Sequence, residues 1–241
     1  MIDLRGFEAL SFDCYGTLIN WETGIREALT PWTRAAGLEH EGNRLIEAFG
    51  RFETGVQQEQ PSMVYQAVLF NTLKRMSEHY GVAFDPTAGA DFGASVGRWP
   101  AFSDSVEALG RLKERFKLIV LSNIDRGSFY LSNARLAVDF DLVVTAQDVG
   151  AYKPDEKGFE VMFDRLGSIG TSRNQLLHVA QSLFHDHEPA RALSLPSVWI
   201  DRRHDQDGFG ATPTPTSESF ETPMRFDSMK SFADAILPEA S

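Results

Sequence analysis

The sequence predicts an α/β fold: a parallel sheet core carrying an inserted block of helices. Three observations predict it. Short, nearly continuous apolar runs recur at Ala9–Phe12, 117–121, 141–145, Leu176–Ala180 and Ser197–Ile200, and such runs fit strands buried on both faces. Helix-period segments lie between the later runs, and strand–helix alternation implies parallel pairing through right-handed crossovers. Directly after the first run, residues 20–99 carry helical periodicity with no strand signal.

Taken in order, the first run ends in Asp13 and a Gly16-Thr17 turn. The inserted block divides into helices at 22–36, 39–56, 63–80 and 86–96, with Gly37 and Gly81 where helix ends are expected. The chain is thus expected to form a core of residues 1–19 and 100–241 and a helical cap of 20–99. A cap beside the end of the first strand is well placed to act as a lid. Trp21 and Trp99 flank the junctions and are expected to pack there. Segments 105–116, 158–166 and 189–195 read as crossover helices. Residues 205–219, rich in Gly, Pro, Thr and Ser, read as a surface loop. Met224–Phe226 reads as an edge strand, and 228–237 as a final helix with Met229, Phe232, Ala233 and Ile236 on one face.

Composition narrows the function. A chain of 241 residues with 42% hydrophobic content can bury one ordinary core and a smaller lobe. A net charge of −11 without a long basic run argues against nucleic acid or an anionic membrane as partner. No run is long enough for a spanning helix. Cys14 is the only cysteine, so no internal disulfide can form. That fits a reducing compartment, and with no apolar leader at Met1–Arg5 a cytoplasmic protein is expected.

Chemistry-bearing residues stand at the predicted strand ends. They are Asp13 with Tyr15 and Thr17, then Ser122-Asn123, then Lys153-Pro154, and lastly Gln181-Ser182 through Asp186. A parallel sheet brings these ends to one edge. An aspartate there can be a nucleophile or a metal ligand. Each group also has a plainer reading, as a helix cap, a turn or a surface lysine.

The order Asp, Ser-Asn, Lys-Pro, Asp over Phe7–Leu18 and 105–201 resembles the haloacid dehalogenase superfamily, with its Rossmann-like core and helical cap. The resemblance implies Asp13 as nucleophile, Ser122 and Asn123 as groups holding the substrate or leaving group, Lys153 as the balancing charge, and Asp186 as governor of the hydrolytic step. Magnesium-dependent phosphatases of that superfamily carry Asp-x-Asp in the first motif and Gly-Asp after the fourth strand. This chain has Tyr15 and Ala180-Gln181 there. A hard cation wants charged oxygens, whereas a halide leaving group needs no general acid. The Asp13-Cys14-Tyr15-Gly16-Thr17-Leu18 form in particular resembles the L-2-haloacid dehalogenase branch.

That branch implies metal-free, cofactor-free hydrolysis of small 2-haloacids to 2-hydroxy acids, of the L enantiomer, through an aspartyl ester. It makes a homodimer an expectation. Tyr15, Thr17, Gln181 and Ser182 join the expected substrate site, and Arg51 is the candidate for the arginine that the branch places in the cap near the halide. Phe159 stands where the branch usually has tyrosine, and the spacing to Asp186 follows the phosphatase pattern. Two other readings stay open: a divergent magnesium-dependent phosphatase using Gln181 and Asp186, and a non-catalytic ligand-binding relative. His178 reads as packed core, Cys14 as buried away from Asp13, and the cap aromatics Phe49, Phe52, Tyr65 and Phe70 as core first. His178, His185 and His187 lack the partner spacing of a metal set.

Overall fold

The apolar runs pair into one sheet. The computed structural model describes residues 4–208, 210–214 and 224–237. Its strands are β1 (Ala9–Phe12), β2 (Lys117–Ser122), β3 (Leu142–Thr145), β4 (Leu176–Ala180), β5 (Ser197–Ile200) and β6 (Met224–Phe226). They form a six-stranded sheet in the order β3-β2-β1-β4-β5-β6, and every neighbouring pair is parallel. β1 is buried along its length, as a strand covered on both faces must be. β6 is the partly exposed edge strand expected from the sequence.

From β1 the sheet grows in both directions, to β2 and β3 on one side and to β4, β5 and β6 on the other. The crevice past the carboxyl ends of β1 and β4 is therefore a topological switch point, where open α/β sheets bind ligands. Phe12 is level with Val120 and Val179, so Asp13 emerges at that crevice.

Between β1 and β2 lie α1 (Trp21–Ala36), α2 (Asn43–Glu59), α3 (Tyr65–His79) and α4 (Pro86–Gly93). Asn20 caps α1 by accepting from the Thr23 amide, and Gly37 ends it in the left-handed region at φ 68°. The single helix expected over 39–56 is divided. A short turn at Glu39–Glu41 ends at Gly42, with φ 51° and ψ −118°, before α2 begins. The helix expected over 86–96 stops at Gly93. A Cβ there would lie 2.7 Å from the Gln66 carbonyl oxygen, so glycine lets α4 lie close against α3.

The remaining helices are α5 (Ser105–Lys113), α6 (Arg126–Leu136), α7 (Ala146–Val149), α8 (Lys157–Arg165), α9 (Glu188–Ala192) and, after the last strand, α10 (Met229–Ile236). α6 was not expected. It buries Phe129 and Leu136 but leaves Tyr130 and Leu131 in solvent, so its sequence shows no clean apolar stripe. Asp125 starts it by capping the Ser128 amide.

One apolar cluster runs from Leu10 and Phe12 of β1 through Trp21, Ile25 and Phe49 of the inserted helices. Trp99 is buried at the junction, with its ring edge-on to Tyr15 and Tyr65. Residues 209 and 215–219 of the expected surface loop lie outside the described residues. Among the described residues no helix is long and apolar enough to cross a membrane.

Candidate active site

The carboxyl ends of β1, β2 and β4 and the loop after β3 bring Asp13, Ser122, Lys153 and Asp186 to one cavity of about 30 Å³. Lys153 is its electrostatic centre. Its ammonium donates to Asp13 Oδ1 at 2.9 Å, Asp186 Oδ1 at 2.6 Å and the Leu121 carbonyl at 3.0 Å. All three of its hydrogens are thereby used. Lys153 is 4% exposed, Asp13 6% and Asp186 0%, so water does not screen this triad.

Asn123 fixes the lysine from behind. Its side-chain oxygen accepts from the Lys153 amide at 2.7 Å, and its nitrogen donates to the Lys153 carbonyl at 3.1 Å. The expected substrate amide is therefore engaged in holding the Lys153-Pro154 turn. Thr17 departs from expectation in the same way. It is fully buried, outside the cavity lining, and its hydroxyl donates to Asp13 Oδ2 at 2.7 Å while accepting from the Gln181 amide at 2.9 Å. Thr17 orients Asp13. Thr17→Val removes that bond at nearly constant volume, and kcat is expected to fall about tenfold or more with KM little changed. Steady-state kinetics on the folded variant checks this.

Burial pushes the Asp13 carboxyl up from its ordinary value. Lys153 pulls it down, but the neighbouring Asp186 adds to the rise. The lysine alone would depress the Asp13 carboxyl; burial reverses the sign. Asp186 goes the other way. Burial opposes its ionisation, yet the Lys153 ammonium and a His178 hydrogen bond hold it well below the usual carboxylate range. Lys153 is desolvated too, but its two carboxylates outweigh that and keep it protonated.

His178 lies in β4, opposite Ser11 of β1. Its Nε2 is 3.1 Å from Asp186 Oδ1 and its Nδ1 is 2.9 Å from Ser11 Oγ. The tautomer with hydrogen on Nε2 donates to the carboxylate and accepts from the serine. His178 is buried as expected, but it also aims Asp186. Phe159 packs against its ring at 5.2 Å between centroids.

Among the described residues, three buried polar atoms of cavity-lining side chains have no hydrogen-bond partner: Ser122 Oγ, Asp186 Oδ2 and His185 Nε2. Buried polar groups are normally paired, so these are the atoms set to meet a substrate or water. Burial lowers the His185 pKa to about 4, leaving a neutral ring. The other expected binders line the cavity, each with a side-chain oxygen already in a hydrogen bond. The Tyr15 hydroxyl donates to Ser132 at 2.7 Å. Gln181 Oε1 accepts from Thr212 at 3.1 Å. Ser182 Oγ accepts from the His185 amide at 2.9 Å, capping the turn at Leu183–His187.

Arg51 is not brought to this cavity. It is exposed on α2 with its guanidinium 4.9 Å from the Phe52 ring centroid, and it lines a separate hollow. The helices instead present Trp21, Glu53, Gln57 and Tyr65. Trp21, expected only to pack, is a wall of the site. Glu53 is the residue most easily missed, yet a signal existed. It stands on the stripe Leu45, Ile46, Phe49, Val56 of α2, at spacing that buries a carboxyl among apolar side chains. Cys14 is fully buried and its thiol is raised well above the ordinary value by burial.

The donor set does not fit a hard divalent cation. Both oxygens of Asp13 and one of Asp186 already accept hydrogen bonds, Lys153 bridges the two carboxylates, and Gln181 offers a neutral oxygen bound to Thr212. Among the described residues no group of three His, Cys, Asp or Glu side chains converges as a metal site.

A family model described as haloacid dehalogenase-like hydrolase matches residues 7–179. The (S)-2-haloacid dehalogenase of Pseudomonas sp. strain YL is 26% identical over 210 residues, covering 81% of this chain and 83% of that protein. The L-2-haloacid dehalogenase from Xanthobacter autotrophicus, solved with chloropropionic acid covalently bound, superposes with a TM-score of 0.76 at 16% identity, covering 97% of this chain and all (100%) of that one. A putative HAD-hydrolase from Bacillus subtilis bound to magnesium gives 0.75 at 15% identity, covering 95% and 98%. Such structural likenesses show a common fold, and with a family model matching most of its length the chain belongs to the haloacid dehalogenase-like hydrolase family.

Proposed function

We propose that this protein hydrolyses small 2-haloacids to 2-hydroxy acids through an ester on Asp13, without metal. The observation that carries the reading is the buried triad of two carboxylates on one ammonium, beside an unpartnered Ser122 hydroxyl. The similarity to an (S)-2-haloacid dehalogenase supports it.

Asp13 attacks the carbon bearing halogen; the new C–O bond forms as the C–X pair leaves with the halide. Thr17 and Lys153 hold the carboxylate in place, so attack needs little reorganisation. Ser122 donates to the substrate carboxylate, and Lys153 supplies the opposing charge. Asp186 Oδ2 then accepts a hydrogen from water, which adds to the Asp13 ester carbonyl. Collapse expels the 2-hydroxy acid, whose oxygen takes the proton that Asp186 removed from water; the second water proton passes to solvent, and Asp13 is regenerated as a carboxylate carrying one water oxygen. Residues 20–99 act as a cap over a core of 1–19 and 100–241, and the small cavity beneath it selects short substrates.

Asp186→Asn separates the two steps. One halide per active site is expected in a burst, followed by slow turnover, with the chloropropionate-derived mass increment on Asp13 found in quenched protein. Absence of both the burst and the adduct would remove the ester from the mechanism.

A further inference from the structure

The roof of the cavity holds a carboxyl that the reaction above does not use. Glu53 is 4% exposed on α2 and lines the same cavity as Asp13 and Asp186. It is fixed from two sides. Gln57 Nε2 donates to its Oε1 at 2.6 Å, and the Tyr65 hydroxyl from α3 donates to it as well. Each donor is itself buried.

Titratable groups from every element around the cavity stand near Glu53. Asp13 and Tyr15 come from the end of β1, Tyr152 and Lys153 from the loop after β3, His185 and Asp186 from the turn after β4, and Tyr65 from α3. Lys153 is the one positive charge among the described residues lining the cavity, and two carboxylates already share it. A third ionised carboxylate would face the incoming carboxylate of a haloacid with no cation left to balance either. Ionised, Glu53 would also have only acceptors to offer a departing halide. Protonated, it keeps its two accepted hydrogen bonds and gains one O–H to donate into the cavity.

We propose that Glu53 is a specificity-determining residue that works as the neutral acid, so that the cavity admits an anionic substrate only together with a proton and meets the leaving halide with neutral donors. The proposal rests on the dehalogenase reading for the halide, but its proton linkage does not. Burial raises the Glu53 pKa to about 7, which puts the change of form in the neutral range. The sign follows: the competent form is present below that pH and lost as pH rises through it.

The test is the pH profile of kcat/KM for chloride release from L-2-chloropropionate, in wild type and in Glu53→Gln. Wild type is expected to fall about tenfold per pH unit on the alkaline side. Glu53→Gln, neutral at every pH and still a donor, is expected to lie within about tenfold of wild type at pH 6 and to stay flat up to pH 9. Lactate binding, followed by calorimetry in buffers of different ionisation enthalpy, is expected to take up a proton at pH 8 in wild type and to lose that uptake in Glu53→Gln. A folded Glu53→Gln that is inactive at every pH, or that keeps the alkaline fall, overturns the proposal. If wild type releases no halide from any 2-haloacid, the dehalogenase reading fails by itself. Lactate then decides for Glu53: proton-coupled binding upholds its role, and binding without proton uptake, or no binding, overturns it.

Discussion

Asp13→Asn is expected to lower halide release by about four orders of magnitude or more, because the proposed ester forms on Asp13. The fold should survive, for a reason that can be measured. Burial raises the Asp13 pKa. A raised folded-state pKa means stability that is present at acid pH and lost as pH rises through the folded value. At pH 7 the ionised Asp13 therefore costs stability, and the neutral amide relieves that cost. Lys153 keeps Asp186 as counter-ion in the variant, at 2.6 Å. Thermal unfolding at pH 7 should show a Tm equal to or above that of wild type. A dead enzyme with a sharply lower Tm would mean that Asp13 is structural.

Lys153→Met should have the largest effect on stability. It leaves two carboxylates buried with no cation between them, a loss of about 3–5 kcal/mol. The sign with pH is distinctive. In wild type the depressed Asp186 pKa contributes stability above its unfolded value, and that contribution is lost as pH falls through the folded one. Without the ammonium both carboxyls are raised by burial, so the variant should be weakest at neutral pH and recover as it is acidified. Urea midpoints at pH 7 and pH 4.5 check this: the deficit should shrink toward the lower pH. An equal deficit at both would argue that Lys153 contributes through packing alone.

The legible part of the fold was the part set by burial on two faces. β1, β4 and β5 are legible to the residue, because uncharged runs bounded by polar residues have few other uses. Boundaries failed where backbone conformation decides, as at Gly42, whose positive φ breaks a pattern that periodicity carries straight through. α6 was missed because two of its large apolar side chains face solvent.

In the site, the chemistry at strand ends was legible because parallel topology collects those ends. The partners were not. Thr17, Asn123 and Ser182 were found as residues, but whether a hydroxyl or amide meets substrate or backbone depends on what lies across the crevice. Glu53 and His178 were hidden for the opposite reason. Each sits within an apolar pattern, and only the folded chain shows the acid reaching the cavity and the imidazole reaching Asp186. Arg51 marks the limit of reading charge from a helix, since α2 turns it outward and places Glu53 inward.

The central claim is ester-forming dehalogenation without metal. The most direct measurement is chloride release from L-2-chloropropionate with a chelator present, in wild type and Asp13→Asn. Chloride released by wild type and lost in the variant is the predicted result. No chloride from wild type, with phosphate released from a generic phosphoester only when magnesium is added, would contradict it.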